Sequence, residues 1–167
     1  MRYGALAVAA LALAACVPGN SDTPMALPAP LSPSAIGLQP AGSPLEISFG
    51  RAREGVIETV SRLLGAGPVE ITRQDECGAG PVTAARWSNG LTLNFTDGDF
   101  RGWVLNQPGL RTAQGLSVGQ PRDALGAVQT TETSLGSEFR KGGEYGLLGE
   151  DGSAIDLIWS GTTCFFR

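Results

Sequence analysis

Residues 83–105, TAARWSNGLTLNFTDGDFRGWVL, decide the fold class. Three short β-like runs, Thr83 to Trp87, Leu91 to Phe95 and Phe100 to Leu105, are divided by Ser88-Asn89-Gly90 and by Asp97-Gly98. Asn-Gly and Asp-Gly accept positive φ and favour tight hairpins. The stretch predicts an antiparallel meander.

Upstream, FGRAREGVIETVSRLLGAGP (residues 49–68) changes period. Val56, Val60, Leu63 and Leu64 stand at i, i+4, i+7 and i+8, one apolar stripe of a helix. Gly65 is placed to stop it, with Pro68 just beyond. Downstream, SVGQPRDAL echoes SFGRAREGV: Ser48/Ser117, Gly50/Gly119, Arg53/Arg122 and Glu54/Asp123 each lie 69 residues apart. Pro121 suits the first turn of a second, shorter helix. Tyr145 to Leu148, Ala154 to Trp159 and Cys164 to Phe166, with a turn at Asp151-Gly152, then give a second meander, so the chain is expected to end inside a strand. The expected class is α+β, with short helices packed on antiparallel meanders in a degenerate tandem α-β-β-β repeat. A single globular domain is expected at 46–167, with halves of about 46–108 and 109–167.

Ahead of that domain, residues 17–45 hold seven of the eleven prolines and one charge, Asp22. Such a composition builds no core and reads as a semi-rigid tether, with residues 16–45 as its bounds. The chain begins MRYGALAVAALALAACVPGN. Arg2 supplies a positive n-region, and the apolar run Gly4 to Ala15 is too short for a bilayer core, which takes about 20 residues. Its length fits the h-region of a signal peptide at residues 1–15. Leu13-Ala14-Ala15-Cys16 resembles the lipobox of bacterial lipoproteins, which implies lipidation of Cys16 and attachment to a membrane through that anchor. Val17 follows, where the Gram-negative pattern places the aspartate that retains a lipoprotein at the inner membrane. The resemblance therefore implies an outer-membrane protein facing the periplasm. Ordinary secretion with a free Cys16 thiol is the alternative.

Without residues 1–15, which carry one cation (Arg2) and no acid, 11 Lys+Arg stand against 16 Asp+Glu, a net charge of −5. That excludes the electrostatic footprint of a nucleic-acid binder. Zero histidine removes the usual general base, the Ser–His and Cys–His pairs and the commonest zinc ligand. The reading is non-enzymatic, without cofactor or metal. Cys77 and Cys164 form an even pair in an exported chain and predict a disulfide; two reduced thiols are the alternative.

The helix opened by G-x-x-x-(E/D) and closed by LG-x-G-P, followed by a small sheet, resembles the β-lactamase-inhibitor-like fold. The residues are Gly50, Leu64, Gly65 and Pro68, echoed by Gly119 and Leu125. That fold is shared with small lipoproteins of the outer-membrane assembly machinery. The segments ECGAGP, WSNGLTL, GW, GLSVG and GTTCFFR also look like a family of exported bacterial proteins with no assigned activity. Neither resemblance supplies catalytic residues.

Three further signals have competing readings. Cys77 in DECGAGP stands beside Asp75 and Glu76, which oppose a thiolate, so the disulfide reading outweighs a nucleophile. Asp97 and Asp99 in TDGDF make a fragment of a calcium loop, but no bidentate glutamate completes it and a hairpin turn is the simpler reading. Trp87, Trp103 and Trp159 either plug the core of a small sheet or join Arg86, Arg101 and Arg111 in a recognition surface. Arg86, Arg101 and Trp103 are the candidate binding residues, for an envelope protein or the cell wall. The expected function is a membrane-anchored envelope lipoprotein that binds or scaffolds without catalysis. The alternative, carried by the fold resemblance, is a protein inhibitor of an envelope or extracellular hydrolase.

Overall fold

The computed structural model describes residue 1 and residues 29–165. Cys16 lies outside the described residues. Strands β1 (Leu31–Ser34) and β2 (Gly37–Pro40) form a hairpin, to which β3 (Ile47–Ser48) adds as the third strand of a small sheet. Helix α1 (Arg53–Leu64) follows. Then come β4 (Glu70–Gln74), β5 (Val82–Arg86), β6 (Leu91–Thr96) and β7 (Asp99–Leu105). A single 3-10 turn, Arg122–Leu125, precedes β8 (Thr130–Thr133), β9 (Gly136–Lys141), β10 (Glu144–Leu148) and β11 (Ile155–Gly161). The last eight strands make one antiparallel sheet in the order β4-β5-β6-β7-β11-β10-β9-β8.

The local chemistry behaves as the sequence dictates where its signals are strong. Val56 and Val60 of α1 are buried, Leu63 and Leu64 pack half-buried against the core, and Gly65 closes the helix at φ 71°. Asp97 and Gly98 both hold positive φ, 53° and 83°, the geometry of a two-residue hairpin turn between β6 and β7.

The α-β-β-β repeat is not present. One α-helix exists among the described residues, and its expected counterpart is the 3-10 turn, with Leu125 as its one buried residue. Gly126 ends that turn one residue after Leu125, so RDAL has no room to present an apolar stripe. The meander at Thr83 begins one strand earlier, at β4, and β8 and β9 precede the Tyr145 segment. Residues 162–165 are not a strand; β11 ends at Gly161.

The expected tether also ends earlier than residue 45. Leu31 and Leu38 are fully buried in the main core, although Pro30, Pro33 and Pro40 surround them. Pro33 is tolerated because β1 is an edge strand, where a missing N–H breaks no ladder. The hairpin is locked to the large sheet by the Trp103 indole, whose Nε1–H donates to Ser34 O at 2.7 Å, and by Ser160 Oγ, which donates to Ala35 O at 2.8 Å.

Two faces of the large sheet have different fates. Ala85, Leu93, Trp103 and Ser160, in cross-strand register, turn toward α1 and the hairpin, and are buried. The opposite face, along Ala84, Asn94, Gly102 and Gly161, is crossed by the C-terminal tail. Thr162 N donates to Arg101 O at 2.8 Å, and Asn94 Nδ2 donates to Thr162 O at 2.9 Å. Gly102 is required there, because a Cβ at that position would collide with the Thr162 backbone. The Cys77–Cys164 disulfide then staples the tail to the β4–β5 connection, closing 87 residues of chain with a Cα–Cα distance of 5.0 Å.

Candidate functional site

Among the described residues, β4 and β8 are the two open edges of the large sheet, and β4 is the one exposed along its whole length. All five residues of the strand, EITRQ, are exposed, and β4 pairs on one side only, with β5. Val69 and Ile71 keep more than half of their surface in water, at 57% and 54%. Trp87 N donates to Leu91 O at 2.8 Å, so Trp87, Ala85 and Thr83 turn their backbone groups toward β6, while Arg86, Ala84 and Val82 turn theirs toward Glu70, Thr72 and Gln74 of β4. The N–H and C=O groups of Ile71 and Arg73 therefore point away from the sheet.

Sheet edges are ordinarily defended by charge, proline or bulges. Here each charge is answered within the fold. Arg86 reaches across from β5 to Glu70, with Nη2–Oε2 at 2.8 Å, and Arg73 meets Asp75 at 2.6 Å. The β4–β5 ladder runs in unbroken register from Glu70↔Arg86 to Gln74↔Val82. Bulges do occur elsewhere, between Asn94 and Phe95 opposite β7 and between Leu147 and Leu148 opposite β11. Neither twists the β4 edge away from a newcomer. What such an edge does chemically is accept another extended backbone, the strand-addition mode of recognition.

The candidate binding residues separate. Arg86 lies beside the β4 edge and is exposed, held by Glu70. Arg101 is the extra residue of the β7 bulge, exposed and paired with Asp99 at 2.8 Å. Trp103 is fully buried, with its indole committed to Ser34. A side chain without accessible surface touches no partner, so the three do not form one patch. Trp87 is likewise interior, and its Nε1–H donates to Ala66 O at 2.9 Å. The residues the sequence reading passed over are Val69 to Gln74. Their signal was present in the alternation of Val69 and Ile71 with Glu70 and Thr72, too short to stand out beside the longer runs.

Elsewhere the molecule offers less. A groove of about 590 Å³ is lined by Gln129, Thr131, Glu138, Arg140 and Tyr145. The Tyr145 ring is enclosed on two sides, stacked on Trp159 at 5.9 Å and covered by the Arg140 guanidinium at 5.4 Å. A second hollow of about 350 Å³ lies between β3 and α1, lined by Ile47, Gly55, Val56 and Thr59 with Glu46 and Arg51. Among the described residues no group of His, Cys, Asp and Glu is arranged to hold a metal ion; Asp97 lies in the hairpin turn and Asp99 opens β7. No helix among them is long and apolar enough to cross a membrane.

One ionisable group is misplaced by ordinary standards. Glu144 is completely buried, and its two oxygens close no hydrogen bond of ordinary geometry among the described residues. Burial pushes its carboxyl up, against the opposing pull of the Thr112 hydroxyl, the Gln114 backbone amide and the Lys141 ammonium.

Comparisons with protein-family models, with curated proteins and with solved structures find no match to this chain.

Proposed function

We propose that the chain is a lipoprotein of the cell envelope, anchored through Cys16 at the outer membrane and facing the periplasm. It acts there as a non-enzymatic binding module, taking an extended protein segment onto the free edge of β4. The observation that carries the binding role is the undefended edge: outward-facing backbone groups at Ile71 and Arg73, beside the exposed side chains of Val69 and Ile71. The anchoring half rests on Leu13-Ala14-Ala15-Cys16 at the end of a short apolar leader. The Cys77–Cys164 bridge fits an oxidising compartment such as the periplasm. Anchoring favours a module that must meet its partner near a membrane, because tethering raises the effective concentration of the second contact.

The test is crosslinking in intact cells, comparing the native chain with Ile71→Lys. Ile71 is half exposed, so a lysine there leaves the core intact while placing a new charge on the inward-facing strip of the edge. The native chain should yield a protein adduct that the variant loses, at unchanged melting temperature. An adduct that survives Ile71→Lys removes β4 as the contact. A hydrolase as the captured protein would turn the role into inhibition at the same edge.

A further inference from the structure

We infer that the strand added at β4 is β4 of a second copy of this chain, in an antiparallel pair centred on Ile71. The inference rests on the proposed docking role of that edge and names its occupant. A twofold axis normal to the sheet carries each face of β4 onto the same face of its mate. Residues placed opposite one another must then share a face, so each permitted register is centred on a single residue.

Charge selects among the centres. A pair centred on Glu70 sets two carboxylates face to face, and one centred on Arg73 does the same with two guanidinium groups; like charges directly opposed are destabilising. Centring on Thr72 puts Ile71 against the second copy's Arg73 and Val69 against its Asp75, apolar against charged. Centring on Ile71 sets Ile71 against itself and Glu70 opposite the second copy's Thr72, and leaves Arg73 opposite Val69, which lies outside β4. In that register no like charges meet. The two isoleucines, each more than half exposed in the single chain, meet on the inward-facing side. The hydrogen-bonded positions also agree, because Ile71 points its backbone N–H and C=O outward and would meet its own counterpart in a hydrogen-bonded pair.

The contact is a short strand pair, a small interface for two proteins free in solution. Anchoring both copies in one membrane supplies the concentration that such a pair needs. The pairing therefore belongs to the anchored chain and is to be read in cells.

The register makes a prediction for single cysteines. Ile71 would sit in a hydrogen-bonded pair with itself, where the two Cα atoms are about 5.5 Å apart and within disulfide range. Thr72 would lie opposite Glu70, offset from its own counterpart. The full chain carrying Ile71→Cys, the chain carrying Thr72→Cys and the native chain are each expressed in a bacterial host. Intact cells are oxidised with copper–phenanthroline and resolved without reductant. Ile71→Cys should convert most of the chain into a covalent dimer of twice its mass, lost on reduction. Thr72→Cys should give far less, and the native chain none. Ile71→Cys adducts solely with proteins of other masses overturn self-pairing while leaving strand addition standing. No adduct from either variant overturns both, and a Thr72→Cys dimer exceeding that of Ile71→Cys overturns the register.

Discussion

Glu144 places an ionisable group in the interior, where among the described residues its oxygens close no hydrogen bond of ordinary geometry and are met only by the pull of the Thr112 hydroxyl, the Gln114 amide and the Lys141 ammonium. Its carboxyl is raised by burial, so the folded state holds the proton more tightly than the unfolded chain does. The sign follows. Above its raised folded-state value the ionised group weakens the fold, and that penalty is relieved as pH falls through this value toward the ordinary carboxylate range. Glu144→Gln should therefore stabilise the domain at pH 7 by about 1–3 kcal/mol, measured by urea unfolding, and the gain should shrink on acidification. A gain independent of pH would mean that the carboxyl is not protonated more readily in the fold. Trp103 is the opposite case, a large side chain fully used by the core. Trp103→Ala should cost about 3–5 kcal/mol, while Arg101→Ala, at an exposed pair, should fall within about 1 kcal/mol. Tryptophan and arginine are each common at binding surfaces, and only the register of β7 separates their roles here.

Among the elements, the C-terminal tail depends on two contacts of different kinds. The disulfide holds it at Cys164, and Gly102 gives its backbone room to lie on the sheet. Replacing Cys77 and Cys164 together by serine should cost about 4–5 kcal/mol in the chain-entropy account, a large part of a usual domain's stability. Gly102→Ala should cost about 1–3 kcal/mol with the bridge intact, because a methyl group then displaces the Thr162 backbone. Calorimetry of both variants would separate the covalent from the steric contribution. Helix α1, the Asp97-Gly98 turn and the bridge were legible in the sequence, because a 3.6-residue stripe, a two-residue turn and an even cysteine pair are local or countable signals. The hairpin of β1 and β2 was not. Its prolines match a tether in composition, and only the burial of Leu31 and Leu38 against distant residues makes them structural. The repeat was over-read for a related reason: matching residues at Gly50/Gly119 and Arg53/Arg122 recur, but the apolar stripe that makes α1 a helix has no counterpart after Pro121.

At the scale of the whole molecule, an eight-stranded sheet has one face on its core and the other crossed by a stapled tail, with β4 at an open end. Because β1 to β3 fold into the domain, the tether expected at residues 16–45 does not run through them, and residues 17–28 lie outside the described residues. The central claim is that this domain works while fixed to a membrane, since both strand addition and self-pairing draw their strength from that confinement. Mass spectrometry of the mature chain, taken from the envelope, tests it most directly. The account predicts a protein that begins at Cys16 and carries acyl chains on that residue, with Cys16→Ala leaving the leader uncut. A mature chain that begins at any other residue, or a Cys16 that bears no acyl chain, would contradict it.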